Sequence, residues 1–302
     1  VVSMPPVSAG GATLIQMLNM LSEFDVAGLG AGSIMGVHLL AEVMKRAAAN
    51  RRTWLGDPEF HPVPLAEFTD PAVGKAIAKT IDMNRAAPVE SVEPWPLGME
   101  ESHDTTHYSV MDAQGNAVSN TYTLGYSFGS AWVASGTGIL FDNQMRNFSY
   151  DKGADHPNAI KPGKRMLSTM TPTLVLDGEG KVALITGSPG GSYIINVVLQ
   201  ILVNVIDHGM NIAEATHRPR MYQGWNRSVM GLEPGFSPDV IKGLEQLGHE
   251  TRTERTMGST QSIRILDGRF YGSADPRRPN AAAMGLMYPP AQHELKRAVG
   301  DR

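Results

Sequence analysis

The chain is 302 residues long, with 42% hydrophobic and 19% charged residues, the balance of a globular protein rather than a disordered one. Lys and Arg total 26 against 30 Asp and Glu, a formal net charge of -4, which argues against a broad nucleic-acid footprint. The absence of Cys excludes disulfides, thiolate nucleophiles and cysteine-ligated zinc.

Val1 opens the sequence, with no initiator Met, basic segment or signal-type apolar core behind it, so a processed chain or a fragment is expected. Residues 1–56 read as helical after a Pro/Gly-rich entry. Leu14, Ile15, Met17, Leu18 and Leu21 recur at helical spacing and predict a helix from Ala12 to Leu21. Ser33 is placed to cap a second helix from Ile34 to about Ala49, and Leu55-Gly56-Asp57-Pro58 ends it, since Pro58 disfavours helix at the residue before it. Residues 57–104 are rich in Pro, with one helix expected from Pro71 to Met83. From Arg85 to His103 no period is evident and acidic residues recur, which predicts an exposed, mobile connector.

The pattern then turns to strand. Thr105–Asp112 and Asn116–Leu124 are rich in Thr, Tyr and Val and flank Ala113-Gln114-Gly115, a hairpin loop with glycine at its left-handed third position. Closing Asp112 onto Asn116 and counting outward sets Thr105 directly opposite Thr123, on one face of the ribbon. A second hairpin follows, Thr173–Leu176 and Val182–Thr186 around Asp177-Gly178-Glu179-Gly180, then the turn Gly187–Ser192 and a helix from Tyr193 to His208. The apolar run Ile194–Ile206 is interrupted by Asn196, Gln200 and Asn204 and is too short to span a bilayer. Ser237-Pro238 starts a helix to about Leu247, and a last hairpin joins Gln261–Leu266 to Arg269–Gly272 through Asp267-Gly268. Strand pairs, two helices and a strand pair imply an α+β fold with antiparallel sheet layered by helices.

Three patterns bear on chemistry. Gly125-Tyr126-Ser127-Phe128-Gly129 has the G-x-S-x-G form of a nucleophile elbow, which needs a helix after it. Ser130, Ser135, Gly136, Thr137 and Gly138 make a poor helix start, so a glycine-bounded turn is the simpler reading. His103 and His107 stand four apart, a metal-binding spacing on a helix; on a strand the same spacing spans roughly 13 Å, and no metal site is expected. Gly187–Ser192 sets Gly190 and Gly191 at a helix entry. Such a turn is either purely structural or an anion site or oxyanion hole, because adjacent N–H groups and the helix terminus share one positive end.

Resemblance favours the second alternative. Thr105-Thr106-His107-Tyr108-Ser109-Val110, Gly115-Asn116-Ala117-Val118-Ser119 and Thr121-Tyr122-Thr123-Leu124 resemble the γ-glutamyltransferase family. So do Asn143-Gln144-Met145, Lys164-Arg165-Met166-Leu167-Ser168, Met170-Thr171-Pro172-Thr173, Thr186-Gly187-Ser188-Pro189-Gly190-Gly191-Ser192, Gly258-Ser259-Thr260-Gln261 and Ser273-Ala274-Asp275-Pro276-Arg277. Upstream, Met4-Pro5-Pro6, Ser8-Ala9-Gly10-Gly11 and Leu55-Gly56-Asp57-Pro58 are similar to the end of that family's large subunit. The likeness runs in order along nearly the whole chain.

The resemblance implies an N-terminal nucleophile hydrolase fold, a four-layer αββα sandwich of two antiparallel sheets. It implies a precursor that cuts itself between Asp104 and Thr105, dividing residues 1–104, the end of a large subunit, from 105–302, the small catalytic subunit. Thr105 is then the nucleophile, and its freed α-amine, with an ordinary pKa of about 7.7–8.0, is the base. Thr123 supports the nucleophile by hydrogen bonding, and Gly190 and Gly191 form the oxyanion hole. Ser168 and Thr169 match positions that hold the donor's α-carboxylate, with Gln144 near its amino group. Two positions depart from the family: Asn147 stands where an Asp usually pairs with the α-ammonium, and Gly125 replaces a common Asn that helps bind the donor. The Arg that clamps the carboxylate in the family has no counterpart in this sequence and is expected ahead of it.

The implied donors are γ-glutamyl amides such as glutathione, with water or an amino acid or peptide as acceptor. No metal or organic cofactor and no nucleic acid are expected. Asn147 raises glutaryl amides, as in related cephalosporin acylases, as an alternative donor class. A catalytically silent, unprocessed homologue acting as a binding or structural subunit is the reading from another class, and a serine esterase at Ser127 is a third. The family's usual export implies a periplasmic or extracellular location.

Overall fold

The computed structural model describes residues 1–92, 105–150, 152–225 and 228–286. A short strand β1 (Val2–Ser3) leads into helices α1 (Gly10–Leu21), α2 (Val26–Leu29), α3 (Ile34–Trp54), α4 (Leu65–Thr69) and α5 (Pro71–Ala78). Ser33 caps α3 as predicted, its hydroxyl accepting from the Gly36 N–H at 3.0 Å. α3 runs past Ala49 to Trp54, with Arg51 and Arg52 in its last turn, where cations suit the carbonyl end. α5 stops at Ala78 rather than Met83. Arg46 takes hold of Thr80 there, through Oγ1 and the carbonyl at 2.7 Å each, which removes that carbonyl from further helix.

The segment from Arg85, expected to be exposed, is instead anchored at its start. Ala86 is buried and donates to the Leu247 carbonyl at 2.7 Å, while Ala87 is held between Lys45 and Glu42. The rest of that stretch, residues 93–103, and Asp104 lie outside the described residues.

The next strands are β2 (Thr106–Met111) and β3 (Ala117–Tyr122), paired antiparallel from Met111 opposite Ala117 to Thr106 opposite Tyr122. This is the predicted register, closed by Asp112 N–H to the Asn116 carbonyl at 3.0 Å with Gly115 at φ +92°. Alternation divides the ribbon's two faces. His107 and Thr121 turn inward and are buried, whereas Tyr108, Val110, Val118 and Tyr122 are exposed on the outer face.

Beyond the ribbon come β4 (Thr173–Leu176), β5 (Val182–Thr186), α6 (Ile194–Ile206), α7 (Ile212–His217), β6 (Met221–Tyr222), β7 (Val229–Leu232), α8 (Pro238–Gln246), β8 (Glu250–Thr253), β9 (Gln261–Leu266) and β10 (Arg269–Ala274). A five-stranded antiparallel sheet has the order β1-β4-β5-β9-β10. The inner face of the ribbon packs on it through serines: Ser109 donates to the Gln261 carbonyl at 2.7 Å and Ser119 to the Thr186 carbonyl at 2.9 Å.

The third sheet, β6-β7-β8, is absent from the sequence reading, and its β7–β8 pair is parallel. α8 provides the crossover that a parallel pair requires, so the strands are not all antiparallel as expected. α7 was also not foreseen; an Asn211–Glu214 capping box starts it.

The core lies between α1, α3 and α6, where Leu14, Met17, Met44, Leu199 and Leu202 are buried with Leu184 of β5. α6 is apolar on nearly every side, as a central helix must be. Its buried Gln200 satisfies itself on β6, accepting from Met221 N–H and donating to the Met221 carbonyl at 2.9 Å each. No helix among the described residues is long and apolar enough to cross a membrane. After β10, Asp275 pairs with buried Arg220 at 2.6 Å, and Arg277 pairs with Glu233 at 2.5 Å. This four-residue ionic cluster pins the segment that follows the last strand.

Candidate active site

Thr105 stands just before β2 and extends the ribbon's pairing to Thr123. Its Oγ1 donates to Thr123 Oγ1 at 3.2 Å, and Thr123 Oγ1 also accepts from the Gly125 N–H at 2.9 Å. The predicted juxtaposition of the two threonines is therefore observed. Thr105 is only 9% exposed, so its hydroxyl sits in a restricted, partly dehydrated place.

His107 fixes the ribbon from inside. Ser109 gives its proton to Gln261, so it accepts from His107 Nε2–H at 3.2 Å, and His107 Nδ1 accepts from Thr121 Oγ1 at 2.8 Å. Burial pushes the His107 pKa down to about 4, leaving the ring neutral near pH 7. The imidazole lies flush against Gly187, where any Cβ would overlap the ring. His107 is thus a packed strand residue with both ring nitrogens hydrogen-bonded; His103, its companion in the four-residue spacing, lies outside the described residues.

Gly187 leads into the twin-glycine turn. Gly190 has φ +131° and Gly191 φ +54°, backbone positions that L side chains rarely adopt. The Gly190 carbonyl accepts from Tyr193 N–H at 3.0 Å and the Gly191 carbonyl from Thr169 Oγ1 at 2.9 Å. Among the described residues neither glycine donates its N–H to a protein acceptor. Two buried donors with nothing to hold, at the entry to α6, are suited to a developing oxyanion.

Of the residues singled out in the sequence, Thr105, Thr123, Gly125 and Gln144 line one cavity of about 30 Å³ together with Asn147, Ser168, Thr169 and Gly191. Gly190 adjoins it in the chain. Gln144 Nε2 donates to the Thr123 carbonyl at 2.9 Å, while its Oε1 is buried with no donor among the described residues. An orphaned acceptor of this kind calls for an N–H-bearing ligand group. Ser168 accepts from Met170 N–H at 3.1 Å and keeps its own proton to give. Thr169, by contrast, commits its proton to Gly191 and so shapes the glycine turn.

The wall carrying Ser168 is supported from far away in sequence. Ala9 N–H donates to the Ser168 carbonyl at 2.9 Å, and Ser8 Oγ to the Met170 carbonyl at 2.7 Å. Asp57 receives the Arg165 N–H at 2.9 Å and its guanidinium at 2.7 and 3.0 Å; that hydrogen-bonded cation holds the Asp57 carboxyl well below the usual carboxylate range. Gly125 has φ +89°, and the place of a Cβ there is filled by the Asn143 amide, whose Oδ1 accepts from Tyr126 N–H at 3.0 Å. Hence Asn143 occupies the space that a side chain at 125 would need.

Two contacts have no precursor in the sequence reading. Arg278 Nη1 donates to the Thr105 carbonyl at 2.7 Å, and the His107–Gly187 contact couples the ribbon to the glycine turn. Neither motif spacing nor periodicity marks them. Ser127 is followed by turns and not by a helix, so it does not form an elbow. His38, Glu42 and His249 could together offer three metal-ligand atoms, but the Glu42 carboxylate is already taken by Lys45, Arg46 and the Ala87 N–H.

A sequence model of the family described as Gamma-glutamyltranspeptidase matches residues 1–285. The chain belongs to this family. The glutathione hydrolase proenzyme of Escherichia coli (strain K12) is 47% identical over 286 residues, covering 92% of this chain and 49% of that protein. The acylase ACY 1 proenzyme of Pseudomonas sp. (strain SE83) is 37% identical over 281 residues, 91% of this chain and 48% of that protein. The chain thus spans about half the length of these curated relatives. Among solved structures, a cephalosporin acylase from Bacillus halodurans is 26% identical with a TM-score of 0.81, covering 94% of this chain and 51% of that one. The helices and antiparallel sheets described above are accordingly those of the γ-glutamyltranspeptidases and acylases.

Proposed function

We propose that this chain carries the nucleophile-bearing half of an autoprocessing threonine acyltransferase and hydrolase that cleaves γ-glutamyl amide bonds. The observation that carries this reading is the Thr105 hydroxyl, bonded to Thr123 and lining one cavity with Gly191 and the orphaned Gln144 oxygen. Cleavage between Asp104 and Thr105 would free the Thr105 α-amine. Thr105 Oγ1 then attacks the amide carbonyl while its proton passes to that amine. The N–H groups of Gly190 and Gly191 hold the resulting oxyanion, the C–N bond breaks, and the leaving amine takes the proton. Water or an acceptor amine attacks the ester in the same way and restores the hydroxyl. Ser168 is suited to the donor's α-carboxylate and Gln144 Oε1 to its α-ammonium. Hydroxyl, amine and backbone N–H groups supply every step, with no cofactor required by the chemistry.

Residues 1–104 and 105–302 are, in this reading, the end of the large subunit and the small subunit. The exposed apolar row Tyr108, Val110, Val118 and Tyr122 supports the four-layer arrangement, since a further sheet layer would cover it. The test is the intact mass of the full-length protein. Two fragments divided before Thr105, with hydrolysis of γ-glutamyl anilide, are expected, and Thr105→Ala should abolish both. A wild-type chain that stays whole yet folded would make it the silent homologue instead.

Asn147 favours a second reading, glutaryl-amide cleavage, because a neutral amide replaces a carboxylate partner for the α-ammonium. The relation to acylase ACY 1 supports it. With paired γ-glutamyl and glutaryl anilides, Asn147→Asp should raise the γ-glutamyl preference about tenfold or more, the worth of one charge-assisted hydrogen bond. No change in that ratio would remove Asn147 from donor selection.

A further inference from the structure

Resting on the acyl-transfer reading above, we propose that Asn158 is a positioning residue for donor recognition. Its side-chain amide sets the span between the turn carrying Gln144 and Asn147 and the segment carrying Ser168, so that one donor is held by ammonium and carboxylate at once. Gln144 and Asn147 share one short 3-10 turn, and Ser168 follows Leu167 on the opposite wall of the 30 Å³ cavity. Asn158 lies between these walls in the chain and is only 6% exposed. Its Nδ2 donates to the Asn147 carbonyl at 2.6 Å, and its Oδ1 accepts from the Leu167 N–H at 2.9 Å. The Asn158 carbonyl also accepts from Ser149 N–H at 2.9 Å, just beyond the same turn. One buried amide therefore ties both donor-facing walls together without lining the cavity itself.

The residue type matters. The bridge needs a donor on one side and an acceptor on the other, which an amide supplies, whereas a carboxylate only accepts and an alkyl group does neither. With the amide gone, the Leu167 N–H and the Asn147 carbonyl lose their side-chain partner, and each wall is free to shift towards another. The amide is itself braced from outside. Lys164 Nζ donates to the neighbouring Pro157 carbonyl at 2.7 Å, and Gly56 approaches that carbonyl so closely that a Cβ would overlap it. The Thr105–Thr123 pair and the Gly190-Gly191 turn belong to other elements and make no hydrogen bond to Asn158. Loss of the bridge is therefore a binding defect before it is a chemical one. It acts on a donor that needs both walls and spares a ligand that needs only one.

The test uses the full-length, matured protein, γ-glutamyl anilide as donor and three acids as competitors. L-Glutamate offers both groups, glutarate the carboxylate without the ammonium, and 4-aminobutyrate the ammonium without the α-carboxylate. In Asn158→Ala, KM for the anilide and the inhibition constant of L-glutamate should rise together, about ten- to a hundredfold. The kcat value and the weaker inhibition by the two single-group acids should stay within about threefold. Asn158→Asp keeps the acceptor for Leu167 and loses the donor to Asn147, so it should shift L-glutamate in the same direction. That variant decides the matter if Asn158→Ala does not mature. Parallel weakening of all three acids, a fall in kcat at constant KM, or failure of both variants to mature makes Asn158 a packing residue and overturns its donor role. So does unchanged L-glutamate inhibition in both variants, or a wild type that binds either single-group acid as tightly as L-glutamate. Each of these leaves acyl transfer standing. A matured wild type that cleaves neither γ-glutamyl nor glutaryl anilide overturns the acyl-transfer reading, and the role of Asn158 with it.

Discussion

At the residue scale, Thr123 offers the sharpest test of how Thr105, the proposed nucleophile, is held. Thr123→Val keeps the shape and removes the oxygen to which Thr105 and Gly125 N–H both donate. Losing one such positioning bond is expected to lower kcat about ten- to a hundredfold with KM little changed. Steady-state kinetics on a γ-glutamyl anilide decide it, and a variant with unaltered kcat would make the Thr pair a mere packing contact. Thr105 and Thr123 could be set opposite each other from sequence because a short loop with glycine at its third position leaves one register. The Arg278 contact could not, because its partner is 173 positions away and no pattern spans that distance. The orphaned Gln144 oxygen is likewise invisible in a sequence, being defined by what does not surround it.

At the scale of elements, buried histidines make the packing of strands and helices sensitive to acid. His107 joins the ribbon to the turn that follows β5, and His249 beside β8 bonds His38 of α3 at 2.7 Å. Burial pushes both His107 and His249 from 6.5 down to about 4, with His38 and Lys45 adding to the effect at His249. Between those values the unfolded rings bind protons that the folded rings refuse. Stability is therefore flat above about pH 6.5 and is lost as pH falls towards 4, by about 3 kcal/mol per ring at most. Denaturant midpoints measured from pH 7 to pH 4.5 should fall steadily, and a flat profile would contradict it. The elements involved were unequally legible. Hairpins with glycine turns and helices with Ser caps stand out locally. The β6-β7-β8 sheet does not, since its strands are two to four residues long and pair across a helix.

At the scale of the molecule, the Arg220–Asp275–Arg277–Glu233 cluster closes the fold. Asp275→Asn leaves Arg220 buried without its counter-charge and is expected to cost about 3–5 kcal/mol. A lower melting temperature measures the loss, and on the proposed self-cleavage a rise in uncut chain should accompany it because Arg278 is carried on the same segment. An unchanged melting temperature would show that Arg220 finds relief elsewhere.

The Thr105–Thr123 bond closes a loop of 18 positions and can form while most of the chain is still unfolded. The Arg278 grip on the Thr105 carbonyl closes 173 positions and must wait until the last strand has docked. If the proposed backbone scission needs that grip, the cut is a certificate of folding: a newly made chain would arm itself only after the segment behind β10 had arrived.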